Sequence, residues 1–269
     1  MPSAEKKFRA AVLAGERPGG SAFSRELGLP ASVLVDVAGK SALARVIEAL
    51  ESSKLVEGGV LCGPSEDVHR RNPEFEEILH DSSFRWMAPM TGPSASAVAA
   101  LERMDHFPAL LTAGDHALLD ADLIDDFCSR ALALDVDVAF GLVSYSIVKA
   151  AYPESKRTVL KFSDGEYCGS NLFAILTQRG KAGPAFWSKL EADRKRPWRM
   201  ARRIGAGMLL RYLLGRLTLE GALDSLSKAM GCRVGFVLID KPRAAVDVDS
   251  VADRDLAVKI LQSEQAPLV

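Results

Sequence analysis

Cysteine is sparse in this chain and poorly spaced for chemistry. The four residues, Cys62, Cys128, Cys168 and Cys232, stand far apart, with no Cys-x-x-Cys pair and no adjacent histidine pair. That excludes a zinc site or a disulfide framework as the organising device. A surplus of charge is missing too, since 34 Lys and Arg against 35 Asp and Glu leave a formal net charge of −1. Without a basic excess there is no whole-protein footprint for nucleic acid, and any basic function must be local.

Long hydrophobic runs are also absent. The longest apolar stretch, Ile204–Leu219, is broken by Arg211 and Arg216 and falls short of the roughly 18–20 uninterrupted residues that a spanning helix needs. The opening residues carry charge but no apolar run of signal-peptide length before Gly15 and Glu16, so a cytoplasmic protein is expected. His69, His80, His106 and His116 lack metal-ligand spacing, and only His116, beside Asp115, is kept as a candidate.

What is present is an alternation of short apolar runs with longer segments of helical period, the pattern of strand and crossover-helix units in a mainly parallel sheet. Strands are expected at Arg9–Leu13, Gly59–Cys62, Phe84–Met87, Ala109–Thr112, Val136–Val143, Thr158–Phe162, Arg233–Ile239 and Ala244–Val246. Helices are expected at Ser41–Ser52, Glu74–His80, Ser94–Met104, Ala121–Leu134, Phe186–Asp193, Arg199–Gly215, Thr218–Met230 and Ser250–Gln262. From about Gln178 to Met230 the chain reads as purely helical, so the expectation is a single α/β domain over residues 1–269 with a helical insertion at about 178–230.

Three acid and glycine signatures follow strand ends in order. Gly15-Glu-Arg-Pro-Gly-Gly20 comes after the first strand; glycine lets backbone approach phosphates, and Arg17 is suited to bidentate phosphate binding. It is neither G-x-G-x-x-G nor G-x-x-x-x-G-K-[ST], so the dinucleotide and Walker A assignments lose support, and a surface turn is the bland alternative. Asp115 follows the apolar run Ala109-Leu-Leu-Thr-Ala, where a strand exit could present a carboxylate to Mg²⁺ and substrate phosphates. A helix cap or turn role is the ordinary alternative. In Val246-Asp-Val-Asp-Ser250 alternation puts Asp247 and Asp249 on one side of an extended segment, with Asp249 the preferred ligand and Asp247 the second. In open parallel sheets ligands bind beyond the carboxyl ends of strands, so the three signatures could share one rim.

The order and spacing of these pieces resemble the MobA-like nucleotidyltransferases. The matching residues are Val12-Leu-Ala-Gly15 with Arg17, Val37-Ala-Gly-Lys-Ser-Ala-Leu-Ala-Arg-Val-Ile47, Thr112–Asp115, Gly92-Pro-Ser-Ala-Ser-Ala97, Gly169-Ser-Asn-Leu-Phe173, and Asp247, Asp249 and Asp253. They span roughly Phe8–Thr177 and Arg233–Ile260. The resemblance implies a three-layer αβα sandwich of the GT-A type that moves NMP from an NTP, with CTP or GTP favoured, to a phosphorylated acceptor with release of pyrophosphate. It implies nucleotide binding by Leu13, Ala14, Gly15, Arg17, Gly92, Ser94 and Ser96, Mg²⁺ binding by Asp115, Asp249 and Asp247, and catalytic roles for Arg17 and Lys161. The basic cluster Lys156, Arg157 and Lys161, with Asn171, is read as gripping the acceptor, against the alternative that strand-edge lysines deter aggregation.

One departure stands out. Where the family carries a lysine before its second strand, this chain reads Leu29-Pro-Ala-Ser-Val-Leu34, with Ser32 at the position. Arg25, Lys40 and Lys161 are the substitutes to consider, and Glu16 is an added acid in the loop. A GT-A-type glycosyltransferase and a non-catalytic nucleotide- or membrane-binding relative therefore stay open as alternatives.

Between Arg194 and Arg216 lie eight basic residues and no acid, interleaved with Met208-Leu-Leu and Tyr212-Leu-Leu. This basic amphipathic region could lie on an anionic membrane or cover a lipid-phosphate acceptor, giving peripheral contact through Arg194–Leu219 at the inner membrane face. Otherwise it is a cap whose leucines pack on the sheet. Nucleic acid is not expected, because little aromatic interleaving supports base stacking.

Overall fold

The structure is a computed structural model, and it describes residues 6–16, 19–193 and 203–265. Chain order begins β1 (Phe8–Leu13), α1 (Ala22–Glu26), β2 (Asp36–Val37), β3 (Lys40–Ser41), α2 (Ala42–Ser52), β4 (Val56–Cys62), α3 (Glu66–Arg71), α4 (Pro73–His80), β5 (Phe84–Met87), α5 (Pro93–Met104) and β6 (Ala109–Ala113). It continues α6 (Ala121–Leu132), β7 (Val138–Ser144), α7 (Tyr145–Ala151), β8 (Leu160–Phe162), β9 (Gly165–Ile175), α8 (Ala182–Ala192), α9 (Ala206–Leu213), α10 (Leu219–Met230), β10 (Val234–Ile239) and α11 (Val251–Gln265).

The main sheet runs β10-β7-β9-β6-β1-β4-β5, with β8 paired to β9. Neighbours are parallel except around β9, which is antiparallel to β6, β7 and β8. The carboxyl ends of β1, β4, β5, β6, β7 and β10 therefore open on the same edge. This is the α/β architecture expected of the fold: a mostly parallel sheet with helices on both faces.

Alternation along β1 shows how the layers are held. Ala10 and Val12 face a cluster containing Leu43, Leu50, Ile124 and Phe127 from α2 and α6. Ala11 faces the other way, into a cluster with Ala97 and Leu101 of α5 and with Leu219 and Leu223 of α10. A strand buried on both faces has to be apolar at consecutive positions, which is why β1 reads as a continuous run. The helices start where their caps dictate: the Ser41 hydroxyl accepts from the Ala44 N–H, and the Asp120 carboxylate from the Leu123 N–H at 2.7 Å. Each satisfies an amide that the first turn leaves open.

Several local expectations change. Ala244–Val246 is not a strand: Pro242–Ala245 forms a 3₁₀ turn, closed by bonds from the Ala244 N–H to the Lys241 carbonyl and from the Val246 N–H to the Arg243 carbonyl. Pro242 cannot donate to a ladder, so the segment turns over the strand ends instead. Tyr145–Ala151 is helical, and Glu66–Arg71 forms its own short helix capped by Ser65. The expected Arg199–Gly215 helix is described only as α9, because residues 194–202 lie outside the described set.

Gly58 and Gly59 mark an irregularity in β4. Phe8 pairs with Val56 and Ala10 with Gly59, so β4 spends one extra residue there, as a bulge does. Gly58 has φ +66°, and a Cβ on Gly59 would stand 1.8 Å from the Ala10 carbonyl oxygen. Gly59→Ala is expected to push β4 off β1 and cost about 3 kcal/mol or more, read as a fall in the urea midpoint of unfolding.

Candidate functional site

Asp115 lies two residues past β6, and its backbone carbonyl accepts from the Val248 N–H at 3.1 Å. That bond ties the β6 exit to the Asp247–Asp249 segment. The Asp115 Oδ1 atom is buried and has no hydrogen-bond partner among the described residues. Burial first, then the charges of Asp249 and Asp247, push its carboxyl up to about 7. Asp249 is raised as well, by burial and by Asp247 and Asp253, against an opposing pull from Arg157. A buried carboxyl raised by two neighbouring carboxylates is an arrangement that a cation relieves.

Arg157 decides which acids remain available. Its side chain is only 7% exposed and forms ion pairs with both Asp247 and Asp253, and it also donates to the Asp247 carbonyl at 3.2 Å. Asn171 adds a 3.4 Å contact from Nδ2 to the Asp247 Oδ2. Arg157, expected to grip an acceptor, is thus engaged by Asp247 and Asp253 inside the site. Asp115 and Asp249 form no ion pair among the described residues. Ser250, not an aspartate, caps α11: its hydroxyl accepts from the Asp253 N–H at 3.2 Å, and its carbonyl accepts from the Arg254 N–H.

Asn171 reaches this place through a distortion of β9. Phe140 pairs with Phe173 and Leu142 with Gly169, so β9 spends two residues more than β7 over the same span. Asn171 takes φ +52° within it, a left-handed conformation that Asn tolerates better than most residues. The bulge re-aims the side chain toward Asp247, as bulges beside functional sites do.

On the other side of Asp115 lies the glycine loop. Gly15 packs closely, since a Cβ there would meet Pro89 at 2.8 Å, and one on Gly114 would meet Ala14 at 3.0 Å. Leu13, Ala14 and Gly15 therefore sit against both the β6 exit and the loop leading to α5. On the first turns of α5 the Ser96 hydroxyl is buried and accepts from the loop's Met90 N–H at 2.9 Å, while Ser94 and the N-cap Gly92 are half-buried. Arg17 lies outside the described residues.

Glu16, the added acid, closes the glycine loop on itself. Its Oε1 accepts from the Ser21 N–H and the Ser24 hydroxyl, each at 2.8 Å. Burial alone would raise its pKa, but these bonds and one to the Ser32 backbone leave it lowered. Ser32, standing for the family lysine, thus meets a carboxylate through its main chain. Among the substitute cations, Lys40 pairs with Glu48 at 2.6 Å and Lys161 with Glu166 at 3.4 Å. Arg25 stays within the loop, its Nε donating to the Ser21 carbonyl. Lys161 is exposed on β8. Lys156 is exposed, with no ion pair among the described residues.

His116 is fully buried, and burial lowers it to about 4, with the Ala244 backbone as a partial offset. A neutral buried ring is a packing element here. Two surface clefts of about 520 and 410 Å³ are lined by Arg45, Asp120 and Arg243 and by Leu29, Asp36 and Arg254 respectively. Neither of these two takes in Asp115 or Asp249. No cluster of three or more metal-ligating side chains occurs among the described residues.

A parallel sheet whose strand exits carry a glycine loop and two crowded carboxylates defines a nucleotide-dependent transferase of the αβα class. The family model of the MobA-like NTP transferase domain matches residues 10–156, more than half of the chain, and the protein belongs to that family, making it a nucleotidyltransferase by class. Among solved structures, a hypothetical transferase from Thermus thermophilus is 24% identical with a TM-score of 0.77, over 92% of this chain and 99% of that one. The 4-diphosphocytidyl-2C-methyl-D-erythritol synthase from Anaerococcus prevotii is 15% identical with a TM-score of 0.57, over 95% and 96%. A CMP:2-keto-3-deoxy-manno-octonic acid synthetase complexed with CTP is 12% identical with a TM-score of 0.58, over 97% and 100%. At these identities the likeness is one of fold. No curated protein matches the chain.

The raised Asp115 carboxyl sets a pH dependence. Because the folded state holds this proton more tightly than the unfolded chain, the group favours folding most below the ordinary carboxylate range, and that contribution is lost as pH rises through about 7. Without divalent cations, the melting temperature should fall between ~pH 5 and ~pH 7.5 more steeply in the wild type than in Asp115→Asn. Equal slopes would remove Asp115 as the source. Glu16→Ala should free the loop donors, and a phosphate-loop role for them predicts tighter NTP binding by calorimetry; weaker binding would make Glu16 a support of the loop instead.

Proposed function

We propose that this protein transfers a nucleoside monophosphate from an NTP to a phosphorylated acceptor and releases pyrophosphate. The observation that carries this reading is Asp115, whose Oδ1 is buried and whose carboxyl is raised by Asp249 and Asp247, at the rim beside the glycine loop. That oxygen, unpartnered among the described residues, and the acids beside it fit a divalent cation. Mg²⁺ held there would neutralise charge on the triphosphate. Leu13, Ala14, Gly15, Gly92 and Ser94 would line the nucleotide, and Arg157 with Asn171 would hold Asp247 and Asp253 so that Asp249 stays aligned with Asp115. Catalysis would come mainly from positioning and charge neutralisation, because phosphoryl transfer asks for little covalent help.

The favoured donors are CTP and GTP; a fold neighbour was solved with CTP. Exposed Lys156 is the cation we assign to the acceptor's phosphate. A lipid or lipid head-group phosphate is the acceptor class we favour, with peripheral contact through the Arg194–Leu219 region, in a cytoplasmic setting. We read the chain as one nucleotidyltransferase-like unit, with α8 to α10 as its insertion. The second reading, a nucleotide-binding relative with lost turnover, draws on Ser32 and on the Glu16 carboxylate that occupies the loop donors.

Pyrophosphate release distinguishes them. With each NTP, Mg²⁺ and a panel of phosphorylated acceptors, the wild type should release pyrophosphate, and Asp115→Ala should slow this by about 100-fold or more. Mg²⁺-dependent nucleotide binding without pyrophosphate from any pairing would favour the second reading.

A further inference from the structure

Helix α9 is apolar on two sides. Its inner side is served by Met208, Leu209 and Tyr212, all half-buried, with the Tyr212 ring 6.1 Å from Phe162 and the Tyr212 hydroxyl facing the Lys161 N–H. Leu210 and Leu213, together with Leu214 just past the helix end, follow i, i+3, i+4 spacing and point away, at 58%, 72% and 58% exposure. Leu160 on the adjoining β8 strand is exposed as well. A helix with leucine all round is normally buried, and this one has no buried residue. The result is an apolar ledge along α9 and β8.

Charge surrounds the ledge. Arg211, Arg216 and Lys161 are exposed beside it, and the sequence from Arg194 to Arg216 holds eight basic residues and no acid. Of the acids nearest in sequence, Asp193 pairs with Arg203, Glu166 pairs with Lys161, Asp164 accepts from the Leu219 N–H, and Glu220 is exposed. Leucines flanked by cations match the chemistry of an anionic bilayer surface, where apolar insertion and head-group attraction add. A partner protein would not require that pairing of features.

We propose that the α9–β8 ledge docks the protein on anionic membrane surfaces. The ledge is tied to the candidate site by the chain itself. Arg157, locked to Asp247 and Asp253, precedes Leu160 by three residues, at most about 10 Å of chain. Docking there brings Lys156 and the rim close to the head groups. The inference deepens the reading of a lipid-phosphate acceptor and rests on it for its purpose, but membrane binding itself needs no nucleotide.

Flotation with vesicles of phosphatidylcholine, with and without phosphatidylglycerol, tests it on the full-length protein. The wild type should float with the anionic vesicles, stay behind with the neutral ones, and be released by salt. The double variant Leu213→Glu, Leu214→Glu should lose at least about tenfold in vesicle affinity with an unchanged melting temperature, and Asp115→Ala should float like the wild type. Absence of wild-type flotation, undiminished binding by the double variant, or a lowered melting temperature showing those leucines to be packed, would overturn the proposal. So would concentration-dependent dimerisation, abolished by the same variant, in place of vesicle binding. If the wild type floats but transfers no nucleotide, the reaction fails and the docking stands. If it transfers nucleotide to soluble acceptors and never floats, only the docking fails.

Discussion

The Asp115 carboxyl sits beside two others, with one buried oxygen satisfied by nothing among the described residues. Burying such a charge is costly unless it is paired, and the surrounding structure is arranged around that cost. Arg157 neutralises Asp247 and Asp253, Asn171 supports Asp247, and the Val248 amide fastens the segment to the Asp115 backbone. Asp115 and Asp249 are left without an ion pair among the described residues, and the Asp115 carboxyl is raised to about 7. In the proposed reaction a divalent cation arriving with the triphosphate would hold these carboxyls in their charged form.

The sheet makes that concentration sustainable. β1 and β6 pair in register from Arg9–Ala109 to Leu13–Ala113, so the Gly15 loop and Asp115 leave the sheet side by side. Gly63 lies against the Ala14 backbone, Gly15 against the Pro89 side chain and Gly114 against Ala14, so the loops are pressed together rather than free to relax from the charge. Rigidity of this kind allows the electrostatic strain to persist in the folded state, as preorganised sites require.

Much of the scaffold was legible in the sequence because its signals are local. The apolar runs of β1 and β6 and the Ser41 and Asp120 caps report their own structure within a few residues. The order of the Leu-Ala-Gly, Thr-Ala-Gly-Asp and Asp-Val-Asp segments placed the rim. The rest depends on contacts made across long stretches of chain. Arg157 meets Asp247 from 90 residues away, so its inward role could not be read from its basic neighbours Lys156 and Lys161. The β9 bulge at Asn171 depends on pairing with β7, and the turn at Pro242–Ala245 on its position over the strand ends, where an apolar run alone suggested a strand. Glu16 was visible as a departure, but its clasp by Ser21 and Ser24 needed the fold of the loop.

The central claim is that Asp115 and Asp249 form a cation site completed by nucleotide phosphates. The most direct measurement is Mn²⁺ titration followed by electron paramagnetic resonance, with and without an NTP, on the wild type, Asp115→Asn and Asp249→Asn. The account predicts weak Mn²⁺ binding by the protein alone, marked tightening with NTP, and loss of that tightening in each variant. Tightening retained in both variants would place the metal elsewhere and contradict it.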